Sequence, residues 1–121
     1  MKLKIVITIL FVFGFLPLSA ADRYFVGSGN WNSTANWSTT SGGATGASVP
    51  VAADLVYFDA NSGNCSINAN ATCLGINSTG YTNTVTQGAF TLTVGVGTLN
   101  WVAGNFVGST SAIAVTGGFI Q

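Results

Sequence analysis

Residues 92–100 read LTVGVGTLN and residues 113–121 read IAVTGGFIQ. Laid over one another at a shift of 21 residues, the two phrases put Leu92 on Ile113, Val94 on Val115, Gly97 on Gly118, Leu99 on Ile120 and Asn100 on Gln121. Apolar falls on apolar, glycine on glycine and amide on amide. A fainter echo at 18 residues sets Leu74 on Leu92 and Ile76 on Val94. Periods near 20 predict an all-β solenoid, like a parallel β-helix, in which each coil buries its apolar side chains only by stacking on its neighbours. The repeat is unfinished at Gln121, so stacking with further repeats of a longer parent chain is expected. A β-sandwich of the same short strands is the alternative.

The rest of the chain has the same grain. Alternating runs at 23–26, 55–59, 65–69, 84–86, 90–94, 99–102 and 113–115 read as strands, and no stretch after the leader has helical periodicity. Glycine, 16 of 121 residues, falls largely in the gaps between those runs, where sharp corners need it.

The leader itself is an address. Lys2 and Lys4 precede the apolar run IVITILFVFGFLPL at 5–18, and Ser19-Ala20-Ala21 offers small residues for cleavage. That is the pattern of a secretory signal peptide. The apolar run is shorter than the roughly 20 residues of a membrane span, so an uncleaved anchor is the weaker reading. The expected division is a signal peptide at 1–21, an N-terminal cap segment at 22–64 and solenoid coils at 65–121, with the mature chain secreted or at the cell surface and not inserted in a membrane.

Once the leader is removed, the charged side chains are Asp22, Arg23, Asp54 and Asp59, and histidine is absent. A single arginine cannot track a phosphate backbone, which needs a cation for each neutralised phosphate, so nucleic acid is excluded as a partner. General acid/base chemistry would fall to three aspartates, and Asp54 and Asp59, five apart in a strand, point to opposite faces. No enzyme, cofactor or metal centre is expected. The segment Asp59-Ala-Asn61-Ser-Gly63-Asn64 has some flavour of a calcium loop but lacks its further carboxylates, and an Asx-type turn is the simpler reading.

Cys65 and Cys73 sit in an exported chain, where a disulfide is chemically allowed and a turn near 68–70 would bring the two together. Two buried thiols are the other reading. Five N-x-Ser/Thr sequons, at Asn32, Asn36, Asn64, Asn70 and Asn77, mean glycosylation in a eukaryotic secretory route and arise by composition in a bacterial one.

The segment 27–43, GSGNWNSTANWSTTSGG, sets two tryptophans in a turn-rich, uncharged run. The order Gly27-x-Gly29-Asn30-Trp31, then Trp37-Ser38, Gly42-Gly43 and Pro50-x-x-x-Asp54-x-Val56-x-Phe58 resembles the N-terminal region of bacterial secreted or cell-surface repeat proteins, autotransporter-passenger-like or adhesin-like β-solenoids. Their recurrent coil phrases are similar to Ala103-Gly104-Asn105-Phe106 and Thr116-Gly117-Gly118-Phe119. The resemblance implies a structural surface or adhesin-like module without catalytic residues; the partners expected are further coils, from the repeat, and, if the tryptophans bind sugar, surface polysaccharide or a glycan of a host or neighbouring cell.

The tryptophans then have two readings. As a structural cap, Trp31 and Trp37 with Pro50, Asp54 and Phe58 cover the unstacked first coil; each indole can bury around 200 Å². As a carbohydrate platform in a small binding module, Trp31, Trp37 and Tyr24 stack on pyranose faces while Asn30, Asn32 and Asn36 bond the hydroxyls.

Overall fold

The computed structural model describes residues 20–121, so the leader lies almost wholly outside the described residues. The chain folds as a β-solenoid of about three turns. Its strands are β1 (Asp22–Phe25), β2 (Gly27–Asn30), β3 (Trp37–Ser38), β4 (Leu55–Tyr57), β5 (Ser62–Ser66), β6 (Ala71–Cys73) and β7 (Gly75–Asn77). There follow β8 (Thr84–Thr86), β9 (Leu92–Val94), β10 (Leu99–Asn100), β11 (Asn105–Val107), β12 (Ile113–Val115) and β13 (Phe119–Ile120).

Three sheets form the three sides. The first runs β13-β10-β7-β4-β1-β3, the second β11-β8-β5-β2 and the third β12-β9-β6. Among the described residues every pairing is parallel except that of β1 with β3, and the coils β4-β5-β6, β7-β8-β9 and β10-β11-β12 each contribute one strand to each side, while the first coil, β1-β2, has none on the third. Strands of two to five residues cannot hold their shape alone; here each is paired to at least one neighbour, and those inside the stack to one above and one below.

The 21-residue shift is the true register on the third side, where Leu92 pairs with Ile113 and Val94 with Val115. It fails at the next strand: Leu99 pairs with Phe119, not Ile120, an offset of 20. The corner between β9 and β10, residues 95–98, is one residue longer than the corner at 116–118, and Thr98 takes φ +74° to absorb the excess. The 18-residue echo is not a register at all. Leu92 and Val94 stack on Ala71 and Cys73, while Leu74 turns the corner between β6 and β7. The coils also start earlier than the sequence suggested, because β1 and β2 are already parallel rungs for β4 and β5; the cap is residues 31–54, inserted between β2 and β4.

Inward positions form apolar columns through the stack: Val56, Ile76 and Leu99 on the first side, Cys65 and Val85 on the second, Cys73 and Val94 on the third, all buried. Aromatic rings run along the interior from Phe58 to Tyr81 and Trp101 and on to Phe106, with neighbouring centroids 5.2 to 6.1 Å apart.

Side-chain amides tie coil to coil at the corners. Asn64 Oδ1 accepts from the Thr84 N–H (3.1 Å), Asn70 Oδ1 from Thr91 (3.1 Å) and Asn68 Oδ1 from Asn32 (3.0 Å). Gln87 is fully buried: its Nε2 lies 3.0 to 3.2 Å from the carbonyls of Phe90, Ser111 and Ala112, and its Oε1 accepts from Ser109.

Cys65 and Cys73 are free, buried thiols rather than a disulfide. They lie on β5 and β6, strands of two different sides, each filling an inward column of its own sheet. The corner between them turns the chain onto the next side and does not fold the two strands back on each other. Asp59 makes the Asx turn: its Oδ1 accepts from the Asn61 N–H at 2.8 Å.

Candidate functional site: the two ends of the solenoid

A stacked fold is most exposed at its two ends, where strand edges and apolar interiors have no neighbour. The two ends of this molecule are treated in opposite ways.

At the N-terminal end, residues 31–54 cover the first coil. Trp31 and Trp37 are 2% and 0% exposed, packed with Phe25 and Phe58. The two indoles meet edge to face, 5.0 Å between centroids and 73° between planes, and Trp37 Nε1 donates to the Trp31 carbonyl at 2.6 Å. The Trp31 Nε1 is buried without a partner among the described residues. Neither ring has a face in solvent, so the two do not make a carbohydrate platform. Tyr24 lies on the outer surface of β1 stacked on Tyr57, and Asn30 is an exposed residue of β2.

The edges of β1 and β2 at this end are closed by two devices. Along β1, β3 pairs antiparallel, Phe25 opposite Trp37 and Tyr24 opposite Ser38. Along β2, Asn36 acts as a surrogate strand: its carbonyl accepts from the Val26 N–H (2.8 Å), and its Nδ2 donates to the carbonyls of Val26 and Ser28 (both 3.2 Å). Gly29 makes room, since a Cβ there would collide with the Asn36 amide. Asn36 was expected to meet sugar hydroxyls; it is instead bonded to the edge of the fold.

The far side of the cap is fastened to the body. Asp54, buried, accepts from the N–H groups of Val51 (3.0 Å) and Ala21 (3.3 Å), and Arg23 Nε stands 3.9 Å away. It closes a turn and bonds no indole. Pro50 is buried beside it in sequence, and Ser41 donates to Asp59 Oδ2 at 2.6 Å. Arg23 Nη2 and Nε hold Ser48.

No protein-family model matches this chain, and neither a curated protein nor a solved structure is similar to it. The reading of the site therefore rests on its geometry.

At the C-terminal end nothing comparable covers the last coil among the described residues. The outer edges of β11, β12 and β13 have no strand beyond them among the described residues. The interior is open there as a wholly apolar cavity of about 160 Å³ lined by Leu92, Leu99, Trp101, Phe106, Ile113, Val115 and Phe119. Ile113, Phe119 and Ile120 are 42%, 57% and 54% exposed, although their positions in the ladder match buried residues one coil earlier in the case of Ile113 and Phe119. Sequence reasoning found the apolar residues at both ends. It gave Asn36 a different role and passed over Gln87, because both act on carbonyls that only the coiling brings near.

Proposed function

We propose that this chain is the starting module of a secreted or cell-surface, adhesin-like β-solenoid: a structural part without catalytic activity, closed at its N-terminal end and able to take further β-coils at the other. The observation that carries this reading is the asymmetry of the ends. Edges are sealed by Asn36 and β3 on one side, while β11, β12 and β13 offer bare backbone and an apolar interior on the other. Unpaired edges next to exposed apolar side chains are a template for more strand. The carboxylates of Asp54 and Asp59 are engaged in turns, which supports a structural use of them.

Export is read from the leader, and the fold adds a reason for the cleavage site. The backbone nitrogen of Ala21 lies 3.3 Å from Asp54 Oδ1, so cleavage after Ala20 would set a new ammonium against a buried carboxylate. N-terminal sequencing of extracellular or surface-released protein should begin at Ala21; a chain that keeps Met1 in the cytoplasm overturns the export reading. A variant extended past Gln121 by one more coil patterned on residues 99–121 should melt at a higher temperature than the parent. An unchanged or lower melting temperature overturns the starting-module reading.

A further inference from the structure

The outer face of the first sheet carries a groove that runs from Tyr57 to Ile120 on the last rung and is separate from the cap. One column of residues runs up this face in register: Tyr24, Tyr57, Asn77, Asn100 and Ile120. Tyr24 and Tyr57 stack with centroids 4.7 Å apart and planes 14° apart, matching the spacing of adjacent strands. The two amides that follow are short, and Ile120 rises beyond them. Tyr57 to Ile120 is three strand spacings, about 14 Å. The resulting groove has a volume of about 360 Å³ and is lined by Leu55, Tyr57, Asn77, Thr98, Asn100 and Ile120, among others. Tyr24 does not line it, so one face of the Tyr57 ring is covered by Tyr24 and the opposite face bounds the groove.

The corner at 95–98 shapes one flank. Gly75 has no side chain on this face, and the backbone of Gly97 occupies the space that a Cβ would need. The floor is polar and fixed: Asn77 Oδ1 accepts from the Thr79 N–H at 2.8 Å, which sets that amide's orientation. Asn100 Oδ1 is buried and has no hydrogen-bond partner among the described residues. A buried acceptor left unpaired costs stability.

We propose that this groove binds a neutral glycan, taking one or two pyranose rings with the free face of Tyr57 as stacking surface and the Asn100 amide, turned outward on binding, presenting its Oδ1 to a sugar hydroxyl. The chemistry selects this class. No Asp, Glu, Lys or Arg side chain lines the groove, which disfavours phosphorylated or acidic ligands. A peptide that binds by strand addition needs a sheet edge for its backbone, and this is a sheet face. A pyranose offers an apolar C–H face for the ring and hydroxyl donors for the orphan oxygen. The site is separate from the tryptophans of the cap and does not depend on how the chain is displayed.

The test is an NMR titration of the ¹⁵N-labelled chain with three neutral probes: cellohexaose, maltohexaose and chitohexaose. At least one should give saturable shifts of the Asn100 side-chain amide and of the Asn77 and Gly97 backbone signals. Tyr57→Phe should retain that binding, Tyr57→Leu should abolish it, and Asn100→Ala should weaken it about tenfold. Asn100→Ala should also melt no lower than the parent, because it removes an unpaired polar group. Absence of saturable shifts with all three probes overturns the proposal. So does binding that survives in folded Tyr57→Leu, or an Asn100→Ala variant that melts several degrees lower and binds as before.

Discussion

Trp37 donates its indole N–H to the main-chain carbonyl of Trp31 at 2.6 Å while its ring meets the edge of the Trp31 ring 5.0 Å away. One contact is polar and directional, the other broad and apolar, and together they fold the six-residue interval between the two indoles onto the end of the first coil. Trp37→Phe keeps most of the ring but loses the bond, and should cost about 1–2 kcal/mol in urea unfolding. Trp37→Ala or Trp31→Ala should cost about 3–5 kcal/mol, the range for truncating a buried aromatic. In a Trp101→Phe background the emission should be blue-shifted and iodide quenching far below that of free indole. Quenching like free indole would show that the cap is not closed in solution.

The cysteines should behave as core residues. Native protein should show the same intact mass before and after reduction, and both thiols should react with a disulfide reagent only after unfolding. Burial pushes the Cys65 thiol well above its ordinary range, and burial with the nearby Asp54 carboxylate pushes that of Cys73 up from 9.0 to about 12. The folded state thus holds protons that the unfolded state releases first. The stability this provides is complete below about pH 9 and is lost as pH rises from there through about 12. Melting temperature should fall over that alkaline window, and less steeply in a Cys65→Val, Cys73→Val double variant.

Gln87 should be the most sensitive polar position in the coils. Its amide serves the carbonyls of Phe90, Ser111 and Ala112 and the N–H of Ser109 from a site with no solvent exposure. Gln87→Met, similar in volume, leaves those groups without their partner. The expected cost is about 2–4 kcal/mol in denaturant unfolding, and Gln87→Glu should be at least as harmful because a carboxylate cannot donate. A neutral Gln87→Met variant would mean that the second and third sides are not locked through this amide.

Thr98 takes a left-handed backbone, φ +74°, that β-branched residues rarely adopt. Thr98→Gly should therefore raise stability by roughly 0.5–1 kcal/mol, relief of strain outweighing the added freedom of the unfolded chain. Thermal unfolding decides it: a lower melting temperature would show that the Thr98 side chain contributes more than its backbone costs.

What could be read from the residues followed from repetition and apolar spacing. The strands at Thr84–Thr86 and Ile113–Val115 and the shift that joins β9 to β12 were legible because β-branched and apolar residues alternate there. Strand β2 was not: GSGN has almost no intrinsic strand preference and is extended because β5 pairs with it. Strand β7, GIN, is similar, held between β4 and β10. The change from an offset of 21 to one of 20 depends on the conformation of a single corner residue. Residue type singled out Trp31 and Trp37 while leaving a buried cap and a sugar platform both open, and nothing about Asn36 distinguishes an amide that closes a strand edge from one that faces water.

Almost every rung of the ladder joins residues 20 to 23 positions apart, and the longer spans belong to the capped first coil. A chain threaded out of a cell with its N-terminus leading would therefore never wait for its distant tail. Once residues up to 66 have emerged, the two tryptophans have their packing partners Phe25 and Phe58, and β2 has β5. Each later two dozen residues can then zip onto a finished surface, one coil at a time, so that folding and passage proceed in the same direction and at the same pace.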